Sequence, residues 1–137
     1  MLRIFTDGGA RGNPGPSASA FVVYRDKENI FQKYLYLGQG TNNEAEYQAV
    51  ILAHTWLLEN PQIISSQEIC FFLDSELVVK QLNGVYKIKS DNLLPLAKTV
   101  KDFEEKLGSR KPNYFFVKRE KNKEADRLVN IALNEKK

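Results

Sequence analysis

Cysteine is almost absent from the 137-residue sequence: Cys70 stands alone and cannot form an internal disulfide. It lies within the apolar run Ile69 to Leu73, which favours a buried structural thiol over a nucleophile. The N-terminus lacks the basic, apolar and small-residue pattern of a secretory signal. No apolar run approaches the ~18 residues of a membrane helix. We therefore expect a cytoplasmic protein without a membrane partner.

Histidine is equally scarce, because His54 is the only one. It falls in the middle of a predicted helix, where we expect a structural or solvated side chain and not a catalytic one. The net charge is only +3, but it is unevenly placed. The first 68 residues hold five Lys/Arg and seven Asp/Glu, and the remaining 69 hold fifteen and ten. A basic second half fits a polyanionic partner, although lysine-rich solvated helices would produce the same count.

The length and composition predict one globular domain, residues 1–137, and we expect a monomer. The hydrophobic fraction is 42% and the charged fraction 27%, both ordinary for a domain with its own core. The sequence shows neither internal repeats nor low-complexity segments. Nothing in it divides the chain further.

A glycine- and proline-rich stretch follows the first predicted strand. Leu2 to Thr6 alternates as a strand does, and residues 8–16 hold four Gly and two Pro. We therefore predict that the strand ends at Asp7 and that a turn follows. A plain hairpin turn with an incidental Asp is the alternative interpretation.

The remaining elements alternate in a way that predicts an α/β fold. Strands are expected over 18–25, 30–37, 68–73 and 114–117, and helices over 41–60, 77–82, 92–107 and 124–135. The first three strands, joined by short polar connections, predict an antiparallel meander. The later βαβ pattern predicts parallel strands, so the whole is a mixed five-stranded sheet with helices on its faces.

Four acidic residues are predicted to meet at one rim of this sheet. Asp7 and Asp74 each follow a strand that should be parallel, and ligands gather at the carboxyl ends of such strands. Glu46 and Asp126 are each placed in the first turn of a helix, on the same side as buried apolar residues, and should turn inward. Each acid also has a structural interpretation, such as a helix cap or a favourable interaction with a helix dipole.

A cluster of four carboxylates repels itself unless protons or cations compensate it. All four candidates, Asp7, Glu46, Asp74 and Asp126, are oxygen donors without His or Cys beside them, which favours Mg²⁺ or Mn²⁺ over zinc. Two such ions about 4 Å apart activate water and stabilise the leaving oxygen when a phosphodiester is cleaved. The residues therefore predict a metal-dependent nuclease site.

Four motifs, in this order and spacing, resemble the type 1 ribonuclease H family. They are Asp7-Gly8-Gly9 with residues 12–16, Thr41 to Glu46, Asp74-Ser75, and Asn122 to Asp126. The resemblance runs from Asp7 to about Leu133. It implies the ribonuclease H-like fold with strand 1 central, and cleavage of the RNA strand of RNA-DNA hybrids to 5′-phosphate and 3′-hydroxyl ends.

The resemblance also implies roles for individual residues. The four acids match the metal-binding acids of the family. The positions implied for substrate contact are Gly9, Arg11, Gly12, Asn13, Thr41, Asn42, Asn43, Glu76 and Asn122. Among them, the glycine turn with Asn13, Asn42 and Asn43 matches positions that touch the RNA backbone and its 2′-hydroxyl groups, and Thr41 matches one that helps hold a DNA phosphate.

The chain departs from the bacterial members in three places. Only residues 84–91 stand where those members carry a long basic helix and loop. The loop before the last acid holds Arg119 where they have a histidine, and we expect Arg119 to take over part of its catalytic role while remaining charged. Glu76 stands where an uncharged DNA-contacting side chain is common. Short archaeal-like members share this form, which keeps cleavage of double-stranded RNA open, and a noncatalytic nucleic-acid-binding domain is the remaining alternative.

Overall fold

Five β-strands form one mixed sheet in the computed structural model, which describes residues 1–136. The strands are β1 Leu2–Ala10, β2 Gly15–Arg25, β3 Glu28–Gly40, β4 Ile69–Leu73 and β5 Asn113–Phe116. The helices are α1 Asn42–Glu59, α2 Pro61–Ile64, α3 Glu76–Leu82, α4 Leu94–Leu107 and α5 Lys123–Glu135. Two 3₁₀ turns cover Gly108–Arg110 and Arg119–Lys121. None of the helices within residues 1–136 combines the length and apolarity that crossing a lipid bilayer requires.

The sheet has the predicted topology. Its spatial order is β3-β2-β1-β4-β5, so β1 is central. The pairs β1–β2 and β2–β3 are antiparallel, whereas β1–β4 and β4–β5 are parallel. The continuous apolar run of β4 suits a strand that is buried between two parallel neighbours and covered on its faces.

The prediction that strand 1 ends at Asp7 is wrong. β1 continues to Ala10, and Gly8 and Gly9 pair with Ser19 and Ala18 of β2. The turn is confined to Arg11–Pro14. Gly8 marks the close approach of another backbone and not a turn, because a Cβ on Gly8 would lie 2.2 Å from the carbonyl carbon of Ala45 in α1.

Smaller differences concern the connections. The expected four-residue link between strands 2 and 3 is a two-residue turn, with Asp26 at φ +56° and β3 beginning at Glu28. Helix α1 ends at Glu59, and Pro61 then begins the single turn of α2. The helix expected from residue 92 begins at Leu94.

Apolar cores lie on both faces of the sheet, as expected. Helices α1, α3 and α4 cover one face, where alternate residues of β1 and β2, such as Ile4 and Phe21, are fully buried. Helix α5 covers part of the other face, packing Leu128 and Val129 against small residues of β2 such as Ala20. The buried apolar residues of α5 recur every three or four positions and thus form one stripe that faces the sheet.

A buried polar network joins α1, β5 and α4. The Tyr114 hydroxyl donates to Oε2 of Glu104 at 2.6 Å and accepts from Nε2 of His54 at 2.8 Å. Burial lowers the pKa of His54 to about 3, so its ring is neutral at physiological pH. His54 is therefore structural, and Cys70 is likewise buried with a free thiol.

Candidate active site

Asp7 and Asp74 lie side by side where a parallel ladder ends. The last paired residues of β1 and β4 are Thr6 and Leu73, so the two acids occupy the next position on adjacent strands. Only 6% of Asp7 is exposed, and Asp74 is half-buried. The strand register, which follows from buried apolar residues on both strands, therefore places the two carboxylates together.

Glu46 reaches these acids from α1. The missing Cβ of Gly8 allows the start of α1 to lie directly against β1. The amide N–H of Gly8 donates to Oε1 of Glu46 at 3.1 Å. Glu46 is not in the first turn of α1, as expected, but at the start of the second: Thr41 caps the helix, and Glu46 is the fifth helical residue. Its side chain lies alongside Asp7, with 5% of its surface exposed.

Asp7, Glu46 and Asp74 form one tight carboxylate cluster. One oxygen from each lies within 4.8 Å of the others. Burial, followed by the charge of Asp74, raises the pKa of Asp7 to about 7. Burial and the adjacent Asp7 raise the pKa of Glu46 well above its ordinary value. Without a cation, the cluster therefore holds protons that isolated carboxylates would release.

Asp126 borders this cluster but does not join it. The prediction that it turns inward is wrong, because its side chain is exposed in the first turn of α5. Its charge still acts on the cluster by raising the pKa of Asp7 and Asp74. The start of α5 is anchored to the sheet by Asn122, not by Asp126, since Nδ2 of Asn122 donates to the Thr6 carbonyl at 2.9 Å.

All four acids line one open cavity of about 420 Å³. Its other walls come from the β1–β2 hairpin, the start of α1, Ser75, Arg119 and α5. Burial raises the pKa of Asp74, while a hydrogen bond from Asn122 and the charge of Arg119 act against that rise. Arg119 is thus placed on the cavity wall with its charge directed toward the acids, as its position in the loop predicts.

The hairpin side of the cavity contains several of the residues implied for substrate contact. Gly9, Arg11, Asn42 and Asn43 line it. The Ala10 amide donates to Oδ1 of Asn42 at 2.8 Å, and the Asn42 amide donates to Oδ1 of Asn13 at 3.0 Å. These bonds tie the hairpin to the start of α1, so Asn13 is a structural link here.

The other implied positions lie away from the cavity lining. Thr41 forms the predicted capping box with Glu44. Glu76 is exposed and pairs with Lys80 at 3.4 Å on the surface of α3. Gly12 and Asn122 are likewise not among the residues that line this cavity.

Sequence reasoning missed Asn130. Its Oδ1 accepts from Nη2 of Arg11 at 3.4 Å, and its Nδ2 donates to the carbonyl of Asp126 at 3.0 Å. It thereby links the hairpin to α5 on the cavity wall. The available signal was the four-residue spacing from Asp126, which places both on one face of the helix.

The cluster has the chemistry of a divalent cation site. Its donors are carboxylate oxygens, the ligands that hard cations prefer. Within residues 1–136, Oε2 of Glu46 is buried without a hydrogen-bond partner, an uncompensated acceptor that a cation would satisfy. The pKa values of Asp7 and Glu46 are raised first by burial and then by the neighbouring carboxylates, and a cation would offset both effects.

The sequence matches the RNase H family over residues 1–134. It is 36% identical to ribonuclease HI of Halobacterium salinarum over 98% of the chain and 65% of that protein. It is 35% identical to the bifunctional protein Rv2228c of Mycobacterium tuberculosis over 96% of the chain. The chain spans 35% of the length of this mycobacterial relative.

Solved structures of similar proteins share the fold closely. LC11-RNase H1, isolated from compost by a metagenomic approach, superposes with a TM-score of 0.93 at 35% identity, covering 98% of this chain and 96% of that one. The same protein in complex with an RNA/DNA hybrid gives 0.92, with 98% of each chain covered. RNase H1 of Halobacterium salinarum gives 0.88 at 30% identity, again with 98% of each chain covered.

Proposed function

The chain belongs to the RNase H family, and on that premise we propose that it is an endonuclease that cuts the RNA strand of RNA-DNA hybrids. The products would carry 5′-phosphate and 3′-hydroxyl ends. A similar protein, LC11-RNase H1, has been solved in complex with an RNA/DNA hybrid, which supports this choice of substrate. We also infer that residues 1–137 act as a single, monomeric ribonuclease H domain.

The carboxylate cluster carries this proposal. Asp7, Glu46 and Asp74 lie within 4.8 Å of one another and are joined at the cavity rim by Asp126. A noncatalytic binding domain gains nothing from clustering three mutually repelling acids, two of them buried, because the repulsion costs folding free energy. In a nuclease the clustered acids have a function, because they would bind divalent cations that offset the repulsion.

Ribonucleases H use divalent metal ions, and we propose that this chain binds Mg²⁺ or Mn²⁺, two per site when substrate is present. Asp7, Glu46 and Asp74 would hold them, with Asp126 completing the set. When bound, such ions activate a water and stabilise the departing 3′-oxygen. In the balanced reaction, the water oxygen bonds to phosphorus, the P–O3′ bond breaks, and the 3′-oxygen leaves as a hydroxyl.

Residues around the acids would orient the hybrid. Asn43 and Gly9 line the cavity, and amide groups, which both donate and accept, suit a 2′-hydroxyl. Arg11 adds a cation on the same side, suited to a backbone phosphate. Arg119 faces the acids from the opposite loop, and we assign it contact with the scissile phosphate or its leaving oxygen.

Cleavage of matched RNA·DNA, RNA·RNA and DNA·DNA duplexes tests the function directly. Each duplex is incubated with Mg²⁺, Mn²⁺ or EDTA, and products are resolved with end-group analysis. We expect cleavage of the RNA strand in RNA·DNA with either metal and none with EDTA. Cleavage that survives EDTA, or tight hybrid binding with no cleavage in either metal, would contradict the proposal, and the RNA·RNA arm decides whether specificity is broader.

The proposed setting is the cytoplasm, where a reducing environment suits the free, buried thiol of Cys70. Sedimentation of the purified protein at several concentrations tests the monomer. A single species of about 16 kDa supports it, consistent with the chain mass of 15.7 kDa, and a concentration-dependent larger species would overturn it.

A further inference from the structure

Three phenylalanine rings stack in a row across the sheet face that carries α5. Phe5 on β1 stacks on Phe72 of β4 at 5.0 Å between ring centroids, and Phe72 stacks on Phe115 of β5 at 5.6 Å. The interplanar angles are 22° and 26°, so the rings are nearly parallel. We call Phe5, Phe72 and Phe115 the phenylalanine row.

The two ends of the row differ. At the β2 end, Tyr24 meets Phe5 edge-on, at 5.7 Å and 90°. At the other end, Phe115 lies on β5, the last strand of the sheet, and 45% of its surface is exposed. Helix α5 packs on β1, β2 and β3, which leaves this end uncovered. The row is therefore closed at one end and open to another aromatic ring at the other.

A second cavity, of about 280 Å³, adjoins the row at Phe5. Its floor is Phe5 and Tyr24, and its walls are Arg3 and residues 120–125. The guanidinium of Arg3 lies 5.5 Å from the centre of the Tyr24 ring and 5.9 Å from that of Phe5. We call this space the aromatic cavity. It is distinct from the carboxylate cavity and plays no part in the chemistry described above.

The rim of the aromatic cavity is cationic. Among residues 1–136, Arg3, Lys121 and Lys123 have no carboxylate within 4.0 Å. Glu124 on the same rim is neutralised by Arg127 at 3.1 Å. Of the two acidic residues on this rim, Glu120 is therefore the one that opposes the three cations. Two copies of this face brought together by a two-fold axis would set cation against cation, which disfavours a dimer here.

Cations at one end of an aromatic row whose other end is open suit single-stranded nucleic acid. Each base offers a ring face that can stack on an exposed aromatic side chain, and its phosphates pair with the cations beside it. A duplex end offers fewer free base faces, because its bases are already stacked on each other. The chemistry thus selects an unpaired strand.

The two cavities are also contiguous. The short segment from Arg119 to Lys123 carries Arg119 on the wall of the carboxylate cavity and Lys121 and Lys123 on the wall of the aromatic cavity. A strand that leaves the carboxylate cavity across this segment would therefore enter the aromatic cavity.

We propose that the aromatic cavity and the phenylalanine row bind a single-stranded extension of the hybrid, with a base stacked on Phe115. This inference rests on the proposed hybrid cleavage and extends it to the kind of hybrid preferred. The protein would favour hybrids that adjoin unpaired DNA or RNA over blunt ones.

Binding measurements on the full chain test this. Dissociation constants are measured in EDTA for one blunt RNA-DNA hybrid and for four versions of it. Each version carries a ten-nucleotide extension at a different one of the four strand ends. We expect at least one extension to tighten binding by about 5-fold or more, the effect of one stacked base. Phe115→Ala should abolish this gain. Phe116→Ala is the matched control, because Phe116 is the next residue of β5, equally exposed at 47%, and points to the opposite face.

Lys123→Gln supplies a second, independent variant. It should weaken binding of the extended hybrid and lower the slope of log affinity against log salt by about 1, while binding of the blunt hybrid changes less. Circular dichroism of each variant confirms that the fold is retained.

Three outcomes would overturn the proposal. They are equal affinity for blunt and extended hybrids, equal losses in Phe115→Ala and Phe116→Ala, and a wild-type dimer that Phe115→Ala dissociates, which would make this face an interface between copies. Failure here is separable from failure of the proposed function. A protein that cleaves the blunt hybrid but ignores extensions retains its activity and loses only this inference.

Discussion

Asp7 and Asp74 illustrate how much a single charge contributes at the residue scale. Both acids resist ionisation in the metal-free protein, because burial is the largest cause of their raised pKa values and neighbouring carboxylates add to it. Replacing either with Asn keeps the side-chain shape and removes a charge. The change therefore separates ligand chemistry from packing.

We predict that Asp7→Asn or Asp74→Asn reduces metal-dependent cleavage by more than about 100-fold. This loss is larger than that expected when a residue that only orients a metal ligand is replaced. The fold should persist, and the metal-free variants should be at least as stable as the wild type because repulsion is relieved. Added Mg²⁺ should stabilise the wild type more than the variants. Steady-state cleavage rates and thermal unfolding with and without Mg²⁺ measure both effects.

Asp102→Asn is a suitable control, since Asp102 is exposed on α4 and lies outside the carboxylate cavity. It should leave activity and the response to Mg²⁺ unchanged. Near-full activity in both Asp7→Asn and Asp74→Asn would show that the cluster does not hold the catalytic metal.

Arg119 is predicted to act on turnover more than on affinity. Arg119→Ala should slow the single-turnover rate by about 10-fold or more, because a preorganised cation near the scissile phosphate stabilises developing charge. The dissociation constant for the hybrid should change less. Arg119→His should restore part of the rate, since a histidine can also contact the leaving oxygen.

Lys118→Ala removes a neighbouring exposed cation that does not line the carboxylate cavity, and it should have little effect. Single-turnover and steady-state rates on one hybrid, measured beside the dissociation constant, distinguish the two roles. Unchanged rates in Arg119→Ala, or a defect confined to affinity, would mean that this loop has no catalytic part.

At the scale of elements, the contact between β1 and α1 decides the geometry of the cluster. The helix can approach the strand only because Gly8 has no side chain, and Glu46 is positioned by that approach. Asp74 arrives by a different route, through the parallel register of β4 beside β1. The site therefore depends on one helix–strand contact and one strand pairing.

Gly8→Ala should destabilise the fold by about 1–3 kcal/mol, the usual cost of overpacking, and should reduce cleavage by displacing Glu46. Gly9→Ala is the matched control for stability: its Cβ would meet Val129 at an ordinary 3.9 Å. It should change stability little. Urea unfolding of the metal-free proteins measures the difference, and equal stabilities of the two variants would refute the close-contact explanation.

At the scale of the whole molecule, two buried groups give stability opposite dependences on pH. His54 stays neutral in the fold down to about pH 3, so the unfolded chain binds more protons below about pH 6.5 and stability falls as pH drops. The pKa of Asp7 is about 7 in the fold, so the carboxyl keeps its proton up to about that pH, whereas the unfolded chain releases it near the ordinary aspartate pKa of 3.8. Its contribution therefore falls as pH rises between those values.

We predict that the stability of the metal-free wild type, measured relative to Asp7→Asn, declines as pH rises from about 4 to about 7. The subtraction cancels His54, which both proteins share. Saturating Mg²⁺ should remove the decline, because the cation compensates the ionised cluster. Unfolding free energies at intervals between pH 4 and 8 measure it, and a difference that rises or stays flat without metal would contradict the raised pKa of Asp7.

The sequence alone determined the order of elements, the mixed sheet with β1 at its centre, and the family. These depend on local patterns: the alternation of β1, the continuous apolar run of β4, the capping box at Thr41, and the stripe of α5. The same patterns placed Asp7 and Asp74 side by side, just beyond the last paired residues of β1 and β4. These features depend on residues that are close together in the sequence, so they can be predicted without knowledge of the tertiary structure.

Tertiary structure decided which groups actually meet. The glycines after Asp7 looked like a turn, but they are strand residues, and Gly8 admits the backbone of α1 at Ala45, 37 positions away in the chain. Helical spacing placed Asp126 inward, yet Asn122 anchors that helix and Asp126 stays exposed at the cavity rim. The phenylalanine row joins β1, β4 and β5, whose residues are far apart in the chain. Local pattern cannot specify these contacts, because they depend on how distant elements pack and which of them shield one another from water.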